Sequence, residues 1–195
     1  MGIKDLNKII KKFAENAITK DKIQKFGIKK VAIDANLYIY RFMYNNGQYI
    51  DSFVQQSIML IMNNILPVYV WDGKPPDDKK KTIDDRKERA KNIKNKIDTI
   101  KDNIDSNNAE TQDEIVQKSV DIEKLNKLEK QIIYVSYEDI NKCKELFNIM
   151  GIPSIQANGE GDPFCAYLQK KGVVDAVATE DMDILPLGCS QLIRG

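Results

Sequence analysis

Apolar residues along the chain fall into two alternating patterns. Short runs rich in Val, Ile and aromatics, VAID (31–34) and PVYVWD (67–72), read as parallel strands buried on both faces. IPSIQA (152–157), VVDAVAT (173–179) and QLIR (191–194) are more polar versions of the same pattern. Between them the spacing is helical. Ile50, Phe53, Val54, Ile58, Ile61, Met62 and Ile65 recur on one face, as do Ile140, Cys143, Leu146, Phe147 and Met150, with Gly151 and Pro153 as stop signals. Strand alternating with helix predicts an α/β fold around a mostly parallel sheet.

Residues 74–131 break that rhythm. The segment opens with KPPDDKKK, crosses the polar stretch DNIDSNNAETQD and resumes as EIVQKSVDIEKLNKLEK. It predicts two helices joined by a loop, inserted between the second strand and the next helix. With so few apolar residues it cannot build a core of its own, so it is expected to stand off the domain and to order fully on a partner. The bland alternative is a solvated helical hairpin without a role.

Composition adds limits. The 195 residues suffice for one α/β core domain with an appendage. Net charge is only +1, but it is unevenly spread: residues 1–30 hold nine Lys against three acids (+6), 74–101 eleven Lys or Arg against six (+5), and 102–130 four Lys against eight (−4). Local basic surface of that kind is enough to follow a phosphate backbone. Cys143, Cys165 and Cys189 are odd in number and form no CxxC pair, which supports neither a disulfide framework nor a zinc knuckle. No apolar stretch approaches the roughly 20 residues of a membrane span, and the lysine-rich start does not resemble a signal peptide. The expectation is a soluble, intracellular protein in a reducing compartment.

Six carboxylates sit where apolar segments stop: Asp34 after VAI, Asp72 after VYVW, Glu160 and Asp162 in NGEGDP, and Asp181 and Asp183 in ATEDMD. There is no histidine in the chain. Parallel strands would bring these acids to one sheet edge, where open α/β folds place their ligands. Oxygen-only donors suit Mg²⁺ or Mn²⁺, and a pair of such ions supports phosphoryl displacement. Clustered acids would also drive each other's pKa upward, so metal binding is expected to stabilise the fold. Each acid has a structural alternative as well. Asp34 can N-cap the following helix, Asp72-Gly73 can form a turn, and Glu160 or Asp162 can start the helix carrying Phe164, Cys165, Tyr167 and Leu168.

MGIKDLNKII, KVAIDANLYIYRF, PVYVWDGKPPDDKK, DRKERA, CKELFNIMGIPSIQA, GEGDPFCAYL, VVDAVATEDMDIL and LIRG resemble, in order and approximate spacing, the flap endonuclease / XPG family of structure-specific 5′ nucleases. The resemblance implies a PIN-like α/β domain with an inserted helical arch over about 74–131. It also implies a Mg²⁺-dependent 5′ flap endonuclease and 5′–3′ exonuclease, with two ions and with Mn²⁺ able to substitute, working on DNA in replication, repair or recombination. Carried over by position, the family's metal ligands match Asp34, Asp72, Glu160, Asp162, Asp181 and Asp183. The basic residues that orient the scissile phosphate match Lys79 and Arg86, an aromatic that stacks on a nucleobase matches Tyr40, and Gly2 matches the processed N-terminus near the DNA. Branched or 5′-flapped DNA is the implied partner, a sliding clamp is reached through a region not present, and the protein is expected to be a monomer. The nucleus, or the cytoplasm of a cytoplasmic replicator, is the implied site of action.

Three departures stand out. Where the family has two glutamates one residue apart, this chain has Glu160 and Asp162, so the second side chain is one methylene shorter and is expected to reach its metal through water. Pro163 is unusual there. Nothing in the chain matches the family's helix–two-turn–helix element or its further metal-binding Asp, so the 195 residues read either as a fragment of a longer protein, its N-terminal catalytic part, or as a minimal relative whose duplex grip is lost, with the fragment favoured. Two other functions stay open: a non-catalytic module that binds branched DNA or protein, and a PIN-type ribonuclease.

Overall fold

Among the described residues of the computed structural model five strands, all parallel, form one sheet in the order β3-β2-β1-β4-β5. Residues 3, 5–45, 47–76, 79–106, 112–129, 132 and 134–194 are described. The strands are β1 (Lys30–Asp34), β2 (Leu66–Trp71), β3 (Ser154–Gln156), β4 (Ala176–Ala178) and β5 (Leu192–Ile193). The helices are α1 (Leu6–Phe13), α2 (Ala35–Asn45), α3 (Tyr49–Met62), α4 (Lys80–Ser106), α5 (Gln112–Glu129), α6 (Tyr137–Ile149) and α7 (Gly161–Lys170). This is the α/β parallel fold expected from the alternation of strand and helix patterns. The chain runs outward from β1 through β2 to β3 and then returns to β4 on the other side of β1. The β1–β4 boundary is therefore the point at which the strand order reverses, the usual ligand position in an open α/β sheet.

The pleat divides the core into two layers. Ala32 of β1, Val68 and Val70 of β2 and Val177 of β4 pack with Cys165, Ala166 and Leu168 of α7. Tyr69 and Trp71 alternate to the opposite face, where Phe53 of α3 and Phe147 of α6 meet them. Tyr69 stacks on Phe147 with centroids 3.9 Å apart, and Phe53 stands edge-on to Tyr69 at 5.4 Å. Such aromatic pairs add to the stabilisation from area burial alone.

The inward face of α3 differs from the expected one. Phe53, Ser57 and Leu60 are buried, whereas Ile58, Ile61 and Met62 are exposed. The choice follows from Phe53 filling the aromatic layer and from the Ser57 hydroxyl, which lies 2.9 Å from the buried Tyr69 hydroxyl. A buried phenol needs such a partner, and turning the helix to hide Ile58 and Met62 would remove it.

The chain divides into two units, one of residues 1–75 and 136–195 and the other of residues 76–135. The second unit contains α4 and α5. Within it Ile97 is buried and Lys101 Nζ lies 2.7 Å from Glu129 Oε1. No described helix is long and apolar enough to cross a membrane.

Candidate metal centre

Strand register explains why distant acids meet. Asp34 ends β1 and pairs in register with Val70, so Asp72 lies two residues beyond that level. Ile33 pairs with Ala178, which puts Thr179 level with Asp34 and Asp181 two residues further on. Side chains alternate along a strand, so Asp34 continues the α7-facing row of Ala32, and Asp72 that of Val70. α7 then starts over this edge with Glu160 at its N-cap and Asp162 in its first turn. Acids at that position are favoured by the positive end of the helix dipole.

The surroundings of the acids differ. Asp34 is buried, and its Oδ1 accepts a hydrogen bond from Leu37 N at 3.0 Å, so it does cap α2. Burial lifts its pKa to about 6, and the neighbouring Asp72 and Asp181 carboxylates push in the same direction. Burial likewise pushes Asp162 up to about 7, reinforced by Asp34, Asp181, Asp72 and Glu160. These couplings show five of the six acids sharing one electrostatic neighbourhood. Asp162 Oδ1 is buried and has no hydrogen-bond partner among the described residues. Asp181 caps the short 3₁₀ helix Met182–Ile184 by accepting from Asp183 N at 2.9 Å. The sixth acid, Asp183, accepts at Oδ1 from Ile3 N at 2.7 Å.

Asp72 is held on both carboxylate oxygens. Gly161 N donates to its Oδ1 at 2.6 Å, Asn36 Nδ2 donates to its Oδ2 at 2.9 Å, and the Asp72 amide donates to Asn36 Oδ1 at 3.3 Å. The Gln156 side-chain amide also donates to the Asp72 carbonyl. Glycine is required beside it: a Cβ on Gly73 would lie 2.0 Å from the Ala157 carbonyl oxygen, where Gly73 N now donates to Gly159 O at 2.6 Å.

As they stand, no three acidic or thiol groups among the described residues are arranged to hold one metal ion. The donor set nevertheless suits a hard divalent cation. It consists of carboxylate oxygens, and a buried acceptor at Asp162 lacks a donor, which costs free energy that a bound cation would offset.

Tyr40 is 48% exposed on α2. Lys79 is exposed and immediately precedes α4, in which Arg86 lies. Gly2 and the side chain of Arg86 lie outside the described part of the structure. Asn36 and Gly161 contact Asp72, and Glu180 adjoins Asp181 and pairs with Arg41, contacts that the sequence reading did not anticipate. The signal for Glu180 was its position inside ATEDMD, whereas Asn36 and Gly161 carried none.

Known proteins resemble this chain in sequence and in fold. The sequence matches the XPG N-terminal domain over residues 1–93 and the XPG I-region over residues 151–195. Flap endonuclease 1 of Candida glabrata is 34% identical over 209 residues, covering 100% of this chain and 50% of the relative. Flap endonuclease 1 of Entamoeba histolytica is 32% identical over 212 residues, covering 100% and 51%. The chain thus spans about half the length of the curated relatives it matches. Among solved structures, the flap endonuclease-1 of Methanococcus jannaschii is 26% identical with a TM-score of 0.58, covering 90% of this chain and 56% of that one. The catalytic core of Rad2 in complex with DNA substrate gives a TM-score of 0.65 at 23% identity, covering 100% and 49%, a likeness of fold. With both domains present in order on the PIN-like sheet, the chain belongs to the flap endonuclease / XPG family of nucleases.

Proposed function

We propose that the chain is the catalytic part of a structure-specific 5′ nuclease. It hydrolyses DNA phosphodiester bonds as a 5′ flap endonuclease and 5′–3′ exonuclease, in replication, repair or recombination. The observation that supports this most directly is the unpartnered, buried Asp162 Oδ1 among coupled carboxylates at the strand-order reversal.

In this reading Asp34, Asp72, Glu160, Asp162, Asp181 and Asp183 hold two Mg²⁺ ions, which Mn²⁺ can replace. When bound, such ions supply an activated water and neutralise charge on the phosphate. The chain's own groups orient the acids: the Leu37 amide holds Asp34, the Gly161 amide and Asn36 hold Asp72, and the Asp183 amide holds Asp181. Lys79 and Arg86 bind the scissile phosphate and stabilise charge developing on it, a role that gains strength where water is partly excluded. Tyr40 offers an exposed ring for a nucleobase, and Gly2 with the lysines of residues 1–30 follows the backbone of the flapped or branched DNA. The protein works as a monomer wherever the cell processes DNA, in the nucleus or in the cytoplasm, with a sliding clamp as a further partner.

Cleavage of a 5′-flap oligonucleotide in Mg²⁺, beside a linear RNA of the same sequence, tests the reading. It is best done on the protein as encoded, with whatever sequence adjoins these residues. The flap is expected to be cut and the RNA spared, with cutting lost in Asp34→Ala/Asp181→Ala. Undiminished cutting by that double variant would refute the assignment of the site.

A further inference from the structure

We propose that Asn36 is the positioning residue of Asp72: together with the Gly161 amide it clamps the Asp72 carboxylate in one orientation toward a divalent cation. The inference rests on the metal-centre reading above. Asp72 lies past the last residue of β2 and is exposed, so strand pairing does not fix its side chain. Asn36 and Gly161 do. Oδ2 accepts from Asn36 Nδ2 at 2.9 Å and Oδ1 accepts from Gly161 N at 2.6 Å. Each oxygen is thereby engaged once and retains a further lone pair for a cation, because an ionised carboxylate offers about four acceptor sites.

The Asn36 contact is reciprocal, since its Oδ1 also accepts from Asp72 N at 3.3 Å. A carboxamide supplies donor and acceptor from one planar group. An aspartate there would keep the acceptor and set two carboxylates against each other. Asn36 is the second residue of α2 and follows Asp34 by two, so the same side chain ties the end of β1 to the end of β2. Gly161 completes the clamp by close approach: a Cβ at that position would lie 3.0 Å from Asp72 Oδ1 and 3.8 Å from Val70 Cγ1.

Calorimetric titration with Mn²⁺ on the unmutated chain, Asn36→Ala, Asp72→Ala and the double variant tests the proposal, with thermal unfolding of each in the absence of metal. Loss of a residue that orients a metal ligand weakens binding by about 10–100-fold. Asn36→Ala is therefore expected to weaken Mn²⁺ at least about tenfold while leaving the metal-free unfolding midpoint nearly unchanged. Adding it to Asp72→Ala should weaken binding no further, the non-additivity expected of residues acting through one contact. Gly161→Ala, which disturbs the other side of the clamp, should weaken Mn²⁺ as well. Equal affinity in Asn36→Ala and the unmutated chain, or an equal loss with and without Asp72, overturns the proposal. Absence of Mn²⁺ binding by the unmutated chain overturns the metal-centre reading and the clamp with it, an outcome distinct from the other two.

Discussion

Arg41 of α2 reaches Glu180 at the end of β4, with Nη1 2.6 Å from Oε1. Glu180 stands between Thr179 and Asp181, and its other oxygen faces Arg194 Nη2 at 3.5 Å. The helix that begins beside Asp34 is thus strapped to the loop that carries Asp181. The strap orients more than it stabilises. Arg41 and Glu180 are 38% and 33% exposed, and ion pairs in that setting contribute about 0–1 kcal/mol. Arg41→Ala is expected to lower the urea unfolding free energy by less than about 1 kcal/mol and more weakly still at high salt.

The raised acids set a pH dependence. The folded protein holds protons on Asp34 up to about pH 6 and on Asp162 up to about pH 7, well above the ordinary value of 3.8. The folded state therefore binds more protons than the unfolded one between those limits, and stability falls as pH rises. Metal-free protein should melt at progressively lower temperature from pH 4.5 to pH 7.5. A midpoint that climbs over that range would contradict the burial of both acids.

Divalent ions should reverse that trend. Ligands must lose their protons to bind, so Mn²⁺ affinity rises through pH 6–7 and protons are released on binding. At 100 times its dissociation constant the ion stabilises the fold by about 2.7 kcal/mol. The check is a thermal melt at pH 7.5 with and without Mn²⁺, in which an unmoved midpoint would count against the site.

Asp162→Asn separates folding from metal holding. It removes a charge that is buried among like charges, and should stabilise the metal-free protein by on the order of 1 kcal/mol at pH 7.5. The same variant should lose the stabilisation by Mn²⁺. Urea unfolding in the presence and absence of the ion measures both effects.

Removal of a pre-organised donor to developing charge costs about 10²–10³ in rate. Lys79→Ala and Arg86→Ala are each expected to slow single-turnover cleavage of a 5′-flap DNA by about that factor. Binding should weaken less, because the lysines of residues 1–30 are proposed to hold the DNA backbone as well. Equal losses in binding and in rate would make both residues simple phosphate anchors.

Much of the sheet could be read directly. VAID and PVYVW are buried on both faces, and continuous apolar runs of that length have few other folded uses. The helical periods of residues 49–62 and 137–149 were equally plain. The burial face of α3 was not. Apolar residues surround that helix on several sides, so periodicity offered more than one stripe, and the Tyr69 hydroxyl and the aromatic layer chose among them.

By itself the sequence determined that acids terminate the strands, because where an apolar run ends is a local property of composition. It could not determine which of those acids share a neighbourhood. That depended on the return of β4 to the side of β1, on the register Asp34↔Val70 and Ile33↔Ala178, and on α7 starting over the same edge. Asn36 and Gly161 show the limit most clearly. An asparagine two residues after Asp34 and a glycine 89 residues after Asp72 acquire meaning only when the sheet brings Asp72 between them. Hydrogen bonds act over about 3 Å, so only tertiary packing can decide which residues make them.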